Sequence, residues 1–405
     1  MGDSVGGAAR MVSLDVDELV GLARKSTGLS EFGSFDGDWR GRLESLVAGI
    51  ESGANLNVVG RLMTRQEILR SLRTRLMITR RLDEQPKILD EKIVAPIIVT
   101  GQGRSGTTIL FELLSLDPKA RSISATDAAH PIPGFPVATP ADRAKLIAMT
   151  ECEQEFWADV QPEFATIHEL RSDLPVECIH ATMPSFASFI WWMMSDVPSW
   201  TPDFVAAMTF HKVFLQMMQY GKPEATWILK TPVYLPILDL VFAVYPDAWI
   251  LLTHRDPLKT VPSGLSTLAS CRWHRSDTVD LERIRAGGTG IFDLMVHIQQ
   301  RRTKASCPPA SSISTSPNRC AIRSPRSRAP IVRSAVPSRQ STRPGSATTS
   351  PPSPRTSTAS TVMPPKTGAT RRPRSASAPA ATSTPTASRS RTERPRARPP
   401  NATRS

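Results

Sequence analysis

The stretch that most constrains this chain is residues 97–114, IIVTGQGRSGTTILFELL, where a β-branched apolar run leads through a glycine-rich loop into a helix. Gly101, Gly103 and Gly106 match the G-x-G-x-x-G pattern of dinucleotide-binding loops, and the first and last of them also match the start of a Walker A loop. In such loops glycine lets backbone amides turn toward an anion, and the helix N-terminus adds partial positive charge. The stretch therefore predicts a phosphate site.

Three kinds of phosphate remain open at this point. A dinucleotide site needs an acidic residue about 20 positions on, and Asp127 lies at a tolerable distance, but ARSISATD is a poor strand. A Walker NTPase needs a lysine where this chain has Thr107. Arg104, Ser105 and the pair Thr107 and Thr108 offer one guanidinium and several hydroxyls, which suit a single 5′-phosphate with a group attached better than a metal-bound triphosphate.

The fold class follows from three continuous apolar runs, which are typical of strands buried on both faces. They are residues 93–100 (IVAPIIVT), 227–232 (WILKTP) and 248–257 (AWILLTHRDP), with a crossover helix expected at 233–246. Strand, helix and strand at this spacing predict an α/β fold, a three-layer P-loop-like parallel sheet flanked by helices. Arg255 ends the third run and Ser263 lies eight residues later, so a second anion site is expected beside the first.

Helices are predicted on both sides of the first strand. An N-terminal helical segment is predicted, with helices at residues 14–26, 39–50 and 58–82. Ser13 is the expected cap of the first of them. Arg73, Arg75, Arg80 and Arg81 are interpreted as a solvated face of the third helix. Residues 118–220 are expected to form a helix-rich insert, whose stretch FASFIWWMM either belongs to the core or lines an apolar acceptor pocket.

Both phosphate motifs resemble one family. PIIVTGQGRSGTT resembles the 5′-phosphosulfate loop of the PAPS-dependent sulfotransferase superfamily, and LLTHRDPLKTVPS resembles its 3′-phosphate motif, including the spacing from Arg to Ser. LKTPVYLPILDLVFAVYPDAWI resembles the segment between them, and TGLSEF and LPVECIH look like a bacterial, notably actinobacterial, subgroup. The likeness covers roughly residues 14–300. It implies sulfuryl transfer from PAPS to a small-molecule or lipid-like hydroxyl acceptor, without a metal.

The resemblance also implies roles for individual residues. The backbone of residues 103–108, with Gly103 and Gly106, and the side chains of Ser105, Thr107 and Thr108 would bind the 5′-phosphate. Arg104 stands where many members have Lys and would stabilise charge on the bridging oxygen. Arg255 and Ser263 match the ligands of the 3′-phosphate. Lys230 matches the lysine that contacts the transferring sulfuryl group.

The general base is a separate question, because transfer to an alcohol needs a group that takes the hydroxyl proton. Relatives often place a His shortly after the lysine, and this chain has Tyr234 there, a poor base with an ordinary pKa near 10. The candidates in the insert are His168, then Glu177, with His180 as a third.

The last hundred residues differ in composition from the rest. Residues 304–405 hold 17 Arg and 2 Lys against one acid, Glu393, and contain no Leu, Phe, Tyr, Trp, Asp or His. Such a segment cannot bury enough apolar surface to offset its ordering entropy, so a disordered tail is expected. Its Ser, Pro, Ala, Thr and Arg content is what an alternate reading frame of GC-rich DNA would encode. We expect a frameshift near residue 304 that removed the family C-terminus and impaired transfer; the rival is a genuine basic tail that binds nucleic acid or anionic membrane.

The expected domains are an N-terminal helical segment (1–92), a sulfotransferase core (93–303) and the tail (304–405). Residues 1–303 carry 31 basic and 36 acidic side chains, so no nucleic-acid binding is expected of the core. No apolar run is long enough to span a membrane, the five Cys are scattered, and a cytoplasmic protein is expected. The alternatives to a sulfotransferase are a nucleotide-binding protein without transferase activity and a kinase-like NTPase.

Overall fold

Four α-helices precede the first strand in the computed structural model, which describes residues 7–132, 139–167, 169–306 and 320–323. They are α1 (Ala8–Met11), α2 (Val16–Thr27), α3 (Trp39–Gly53) and α4 (Val58–Glu84). The predicted N-terminal helical segment is thereby confirmed. The cap of α2 is Asp15, whose side chain accepts from the Glu18 amide, and not Ser13, whose hydroxyl accepts from the Asp15 amide one step earlier.

A mainly parallel sheet forms the centre of the described structure. Its strands are β1 (Ile97–Gly101), β2 (Ala120–Arg121), β3 (Thr226–Lys230), β4 (Trp249–Thr253) and β5 (Cys320–Arg323), in the order β2-β3-β1-β4-β5. The first four strands run parallel, which confirms the predicted fold class. The two-residue strand β2 was not predicted, because ARSISATD has a poor strand pattern.

Side chains of β1 alternate between the two faces of the sheet, and helices pack on both faces, which gives three layers. Val99 packs on one face of the sheet with Leu110 and Phe111 of α5 (Thr107–Ser115), while Ile98 belongs to the large core on the other face. That second core includes α10 (Phe204–Gln219) and α11 (Leu238–Val244). Because apolar side chains cover both faces, the strands read as continuous apolar runs.

The predicted helical insert lies between β2 and β3. It contains α6 (Ala125–Ala129), α7 (Pro140–Val160), α8 (Cys178–Ala181), α9 (Phe189–Met194) and α10, with short 3-10 helices at Pro162–Thr166 and Met183–Ser185. After β4 the chain continues through α12 (Pro257–Trp273) and α13 (Leu281–Ser306). Among the described helices, none combines the length and apolar character that a membrane span requires.

Two expected boundaries differ from the observed ones. The first strand begins at Ile97 and not at residue 93, because Ala95 has a φ of 42°, incompatible with a strand, and Pro96 follows it. The expected crossover helix at 233–246 starts as a 3-10 turn, Pro232–Tyr234, and becomes α-helical at Leu238.

Four residues of the basic tail, which was predicted to be disordered, form a strand. Cys320–Arg323 pairs antiparallel with β4, from Leu252↔Cys320 to Trp249↔Arg323. Without β5, β4 would be the edge strand and would present unpaired backbone groups, and backbone pairing requires little apolar burial from the added strand. Residues 307–319 and 324–405 lie outside the described residues, and the division of the chain at 303/304 stays a prediction.

Arg75 was wrongly interpreted as part of a solvated face. Its side chain is fully buried and forms two hydrogen bonds with Asp36, Nη1 to Oδ2 at 2.8 Å and Nη2 to Oδ1 at 2.7 Å. Its guanidinium also lies over the rings of Phe35, Trp39 and Phe210. Burial lowers the pKa of Arg75, and the Asp36 carboxylate opposes that effect. A helical pattern assigns charged residues to the solvent face, and it cannot show a buried counter-ion from another segment.

Gly60 on α4 gives a test of the packing between the N-terminal helices and the core. A Cβ there would lie 2.0 Å from the carbonyl oxygen of Arg275. Because backbone must move to relieve that overlap, Gly60→Ala is expected to lower the free energy of unfolding by about 1–3 kcal/mol. Gly21→Ala on α2 is the control, since nothing lies within 4 Å of its Cβ position and a stabilisation of about 0.5–1 kcal/mol is expected. Denaturant unfolding of both variants measures the difference, and equal stabilities would contradict this packing.

Candidate active site

The three predicted motifs meet at one edge of the sheet. β1 lies between β3 and β4, and the three strands are parallel, so their carboxyl ends point the same way. The glycine loop that follows β1 therefore has Lys230, the last residue of β3, on one side and Arg255, two residues after β4, on the other. Crevices at this end of a parallel sheet are where such folds bind ligands.

The backbone of the loop is shaped by two glycines. Gly101 has a φ of 147°, and a Cβ there would lie 2.5 Å from Thr253 Oγ1, so only glycine fits against β4. Gly106 has a φ of 90° and is the N-cap of α5. Because glycine has no side chain to cap a helix, the first amides of α5 remain for an anion.

The hydroxyl side chains of the loop have different surroundings. Ser105 donates to the carbonyl oxygen of Gln102 at 2.5 Å and lies 2.6 Å from Thr253 Oγ1, so its hydroxyl stabilises the loop itself. Thr107 is buried. Thr108 accepts a hydrogen bond from Lys230 at 3.1 Å. Their predicted contacts with a 5′-phosphate remain predictions.

Arg104 connects the loop to two other segments. It has a left-handed backbone, with a φ of 66°, and its Nε donates to Ser263 Oγ at 3.0 Å. Its Nη1 donates to the carbonyl oxygen of Ile167 in the insert at 3.0 Å. Arg255 donates to the carbonyl oxygen of Arg104 at 2.9 Å. The two predicted 3′-phosphate ligands, Arg255 and Ser263, are thus brought together, and both contact Arg104.

Lys230 is paired with one of the predicted bases. It is almost completely buried, and its ammonium group forms an ion pair with Glu177 Oε1. The second carboxylate oxygen of Glu177 accepts a hydrogen bond from Thr231 at 3.0 Å. The last residue of β3 and the residue that follows it therefore fix this carboxylate of the insert beside the glycine loop.

The other base candidates differ in position. His168 lies outside the described residues, so its place in the site stays a prediction. His180 lines the same cavity as Lys230 and Glu177. Tyr234 is buried, and burial raises its pKa well above the ordinary value, which removes it as a base near neutral pH.

A cavity of about 530 Å³ lies beside the glycine loop and the carboxyl ends of β3 and β4. One part of it is lined by Gly103, Arg104, Thr108, Lys230 and Arg255. Apolar side chains of the insert line another part: Phe164, Leu174, Ile179, Phe189, Trp192 and Met193. The stretch FASFIWWMM contributes both to the core and to the cavity wall, because Trp191 is buried in the core while its neighbour Trp192 faces the cavity. Its role in binding an acceptor stays a prediction.

Sequence reasoning missed the wall that α13 provides. Phe292 lines the cavity and packs on Gly103 and Gly264. A Cβ added to Gly103 would lie 3.3 Å from Cε1 of Phe292, and one added to Gly264 would lie 1.9 Å from its Cζ. The pairing of Phe292 with Gly264, 28 positions earlier, could not be inferred from one sequence. In the described ranges, no group of three or more His, Cys, Asp or Glu is placed to hold a metal ion.

A profile of the sulfotransferase family matches residues 96–307, more than half of the chain. This chain belongs to the sulfotransferase family. The matched range contains the glycine loop, Glu177, Lys230, Arg255 and α13, whereas α1 to α4 precede it.

Two mycobacterial sulfotransferases have similar structures. Sulfotransferase STF1 from Mycobacterium tuberculosis H37Rv has a TM-score of 0.60 and 26% identity, covering 72% of this sulfotransferase and 81% of that chain. Sulfotransferase STF9 from Mycobacterium avium has a TM-score of 0.61 and 24% identity, covering 72% of this sulfotransferase and 76% of that chain, and at that identity it supports the fold alone. Among curated proteins, none matches the sequence of this sulfotransferase.

Proposed function

We propose that this sulfotransferase transfers the sulfuryl group of PAPS to a hydroxyl group of an acceptor with an apolar body. The observation that carries the proposal is one cavity that contains the glycine loop, Arg255, Lys230 and Glu177 together with an apolar wall. Two anion sites at the ends of β1 and β4 suit a nucleotide with phosphates at both ends of its ribose.

Separate groups of the site bind the donor, take the acceptor proton and stabilise the leaving oxygen. The first amides of α5 and Thr108 hold the 5′-phosphate, and Arg255 and Ser263 hold the 3′-phosphate. Glu177 takes the acceptor proton as the new oxygen–sulfur bond forms, with His168 as the other candidate for this role. Lys230 donates a hydrogen bond to the bridging oxygen, which keeps the electron pair when its bond to sulfur breaks. PAP and a sulfated acceptor are the products.

Ligand-dependent thermal stability tests the donor. PAP is expected to raise the melting temperature, while MgATP and NAD raise it much less, because Thr107 stands where an NTPase needs a lysine. Equal stabilisation by MgATP would support a kinase-like NTPase, and equal stabilisation by NAD would support a dinucleotide site.

Arg255→Ala gives a sharper test of the 3′-phosphate site. The variant is expected to weaken PAP binding by about 1.5–3 kcal/mol, as for a lost hydrogen bond to a charged group. Calorimetric titration with PAP measures the change. Arg285→Ala is the control, since Arg285 is 71% exposed and pairs with Glu282. Unchanged affinity in Arg255→Ala would remove Arg255 from the donor site.

A further inference from the structure

The cavity wall carries a second charged pair that the proposed transfer does not use. Arg70 of α4 donates from Nη1 to Oε2 of Glu153 on α7 at 2.6 Å. Both side chains line the cavity, with 20% and 22% of their surfaces exposed. Arg70 precedes the range matched by the family profile, so this part of the wall comes from the N-terminal helices.

Two of the side chains near the pair offer it little polar contact. Met183 lies beside Arg70, with Sδ 3.8 Å from Nη2, and a thioether is a weak acceptor. Trp157 follows Glu153 by one helical turn on α7 and lines the same cavity. A ligand oxygen that accepts a hydrogen bond would be a better partner for Nη2 of Arg70 than the sulfur of Met183.

The charges of the pair balance. His130 Nε2 lies 3.3 Å from the other oxygen of Glu153. Burial opposes the ionised form of Glu153, but the contacts with His130 and Arg70 hold the pKa of this carboxyl below its ordinary value. The carboxylate is therefore ionised beside an ionised guanidinium. A ligand anion would meet Glu153 and a ligand cation would meet Arg70, so a neutral group fits best.

We infer that Arg70 and Glu153 form a specificity site for a second, neutral hydrogen-bonding group of the acceptor. A hydroxyl or carboxamide can accept from Arg70 and donate to Glu153 at once. The acceptor class is then a neutral, two-ended amphipathic alcohol. One hydroxyl reacts near Lys230, the body contacts the apolar wall, and the second polar group binds Arg70 and Glu153. This inference rests on the proposed function.

Matched pairs of ligands test the site without requiring turnover. The probes are straight-chain primary alcohols from hexyl to dodecyl and the α,ω-diols of the same length. A change in tryptophan fluorescence reports binding, because Trp157 and Trp192 line the cavity and their environment changes when a ligand displaces water. At the best length, the wild-type protein is expected to bind the diol about tenfold more tightly than the alcohol, which corresponds to one additional buried hydrogen-bonded group.

Arg70→Met is expected to reduce the preference for the diol to nearly none while the alcohol binds as before. Arg80→Met is the matched control, because Arg80 lies on the same helix in an ion pair with Glu84 and should keep the preference. If Arg70→Met does not fold, Glu153→Gln replaces it, since glutamine has nearly the shape of glutamate and should lower the preference in the same way.

The outcomes separate this inference from the donor assignment. A wild-type protein that binds alcohol and diol equally, or binds neither, overturns the specificity site, as does a folded Arg70→Met variant with the full preference. Calorimetric titration with PAP runs on the same samples. Failure to bind PAP with a retained diol preference would overturn the proposed donor and support the site, and the reverse result would overturn the site alone.

Discussion

Lys230→Ala is expected to lower the rate of sulfuryl transfer by about a hundredfold to a thousandfold relative to the rate of the unsubstituted chain, while PAP affinity changes by less than about threefold. Lys230 is buried at the end of β3 and contacts both Thr108 and Glu177. Its positive charge matters most when the bridging oxygen becomes anionic, and less when the bound donor is intact. Transfer of labelled sulfate, beside calorimetric PAP binding, measures the two effects.

Lys212→Ala is the control for this substitution. Lys212 lies on the exposed side of α10 and does not line the cavity. The same Lys→Ala change there should leave both measurements equal to those of the unsubstituted chain. Unchanged transfer in Lys230→Ala would refute the assigned role. A large loss of PAP affinity with a proportional loss of rate would make Lys230 a donor-binding residue and not a group that acts in the transition state.

Asp36→Ala is expected to lower the free energy of unfolding by about 3–5 kcal/mol, because it leaves the buried guanidinium of Arg75 without its counter-ion. The loss is increased by Arg42, which also donates to Asp36 Oδ2, at 2.9 Å. Denaturant unfolding followed by circular dichroism measures the effect. The surface variant Asp17→Ala removes a carboxylate that is 82% exposed, and it should cost less than about 1 kcal/mol.

A double substitution distinguishes the missing counter-ion from a simple packing defect. Asp36→Ala combined with Arg75→Met removes both buried charges, and it should recover part of the lost stability. If the double variant is less stable than Asp36→Ala, the guanidinium contributes mainly through its contacts with the surrounding aromatic rings. In that case the ion pair is not the main source of stability here.

Most of the sheet and the glycine loop could be predicted because their information is local. A strand buried on both faces reads as an apolar run, and a loop that binds an anion between strand and helix requires glycine at particular positions, as at Gly101 and Gly106. Parallel strands then place their ends at one edge, so the ordering of the motifs was sufficient to bring Lys230 and Arg255 to the same site.

Contacts between distant segments were decided by the tertiary structure. Nothing near Lys230 in the sequence indicates that Glu177 pairs with it, and nothing near Arg104 indicates that its guanidinium reaches Ser263 and Ile167. The sequence by itself determined the fold class, the family and the loop, since these depend on periodicity and on backbone conformation. The buried ion pairs, the wall formed by α13 and the Arg70–Glu153 pair required the folded chain, because such contacts depend on which surfaces meet and not on the neighbours in sequence.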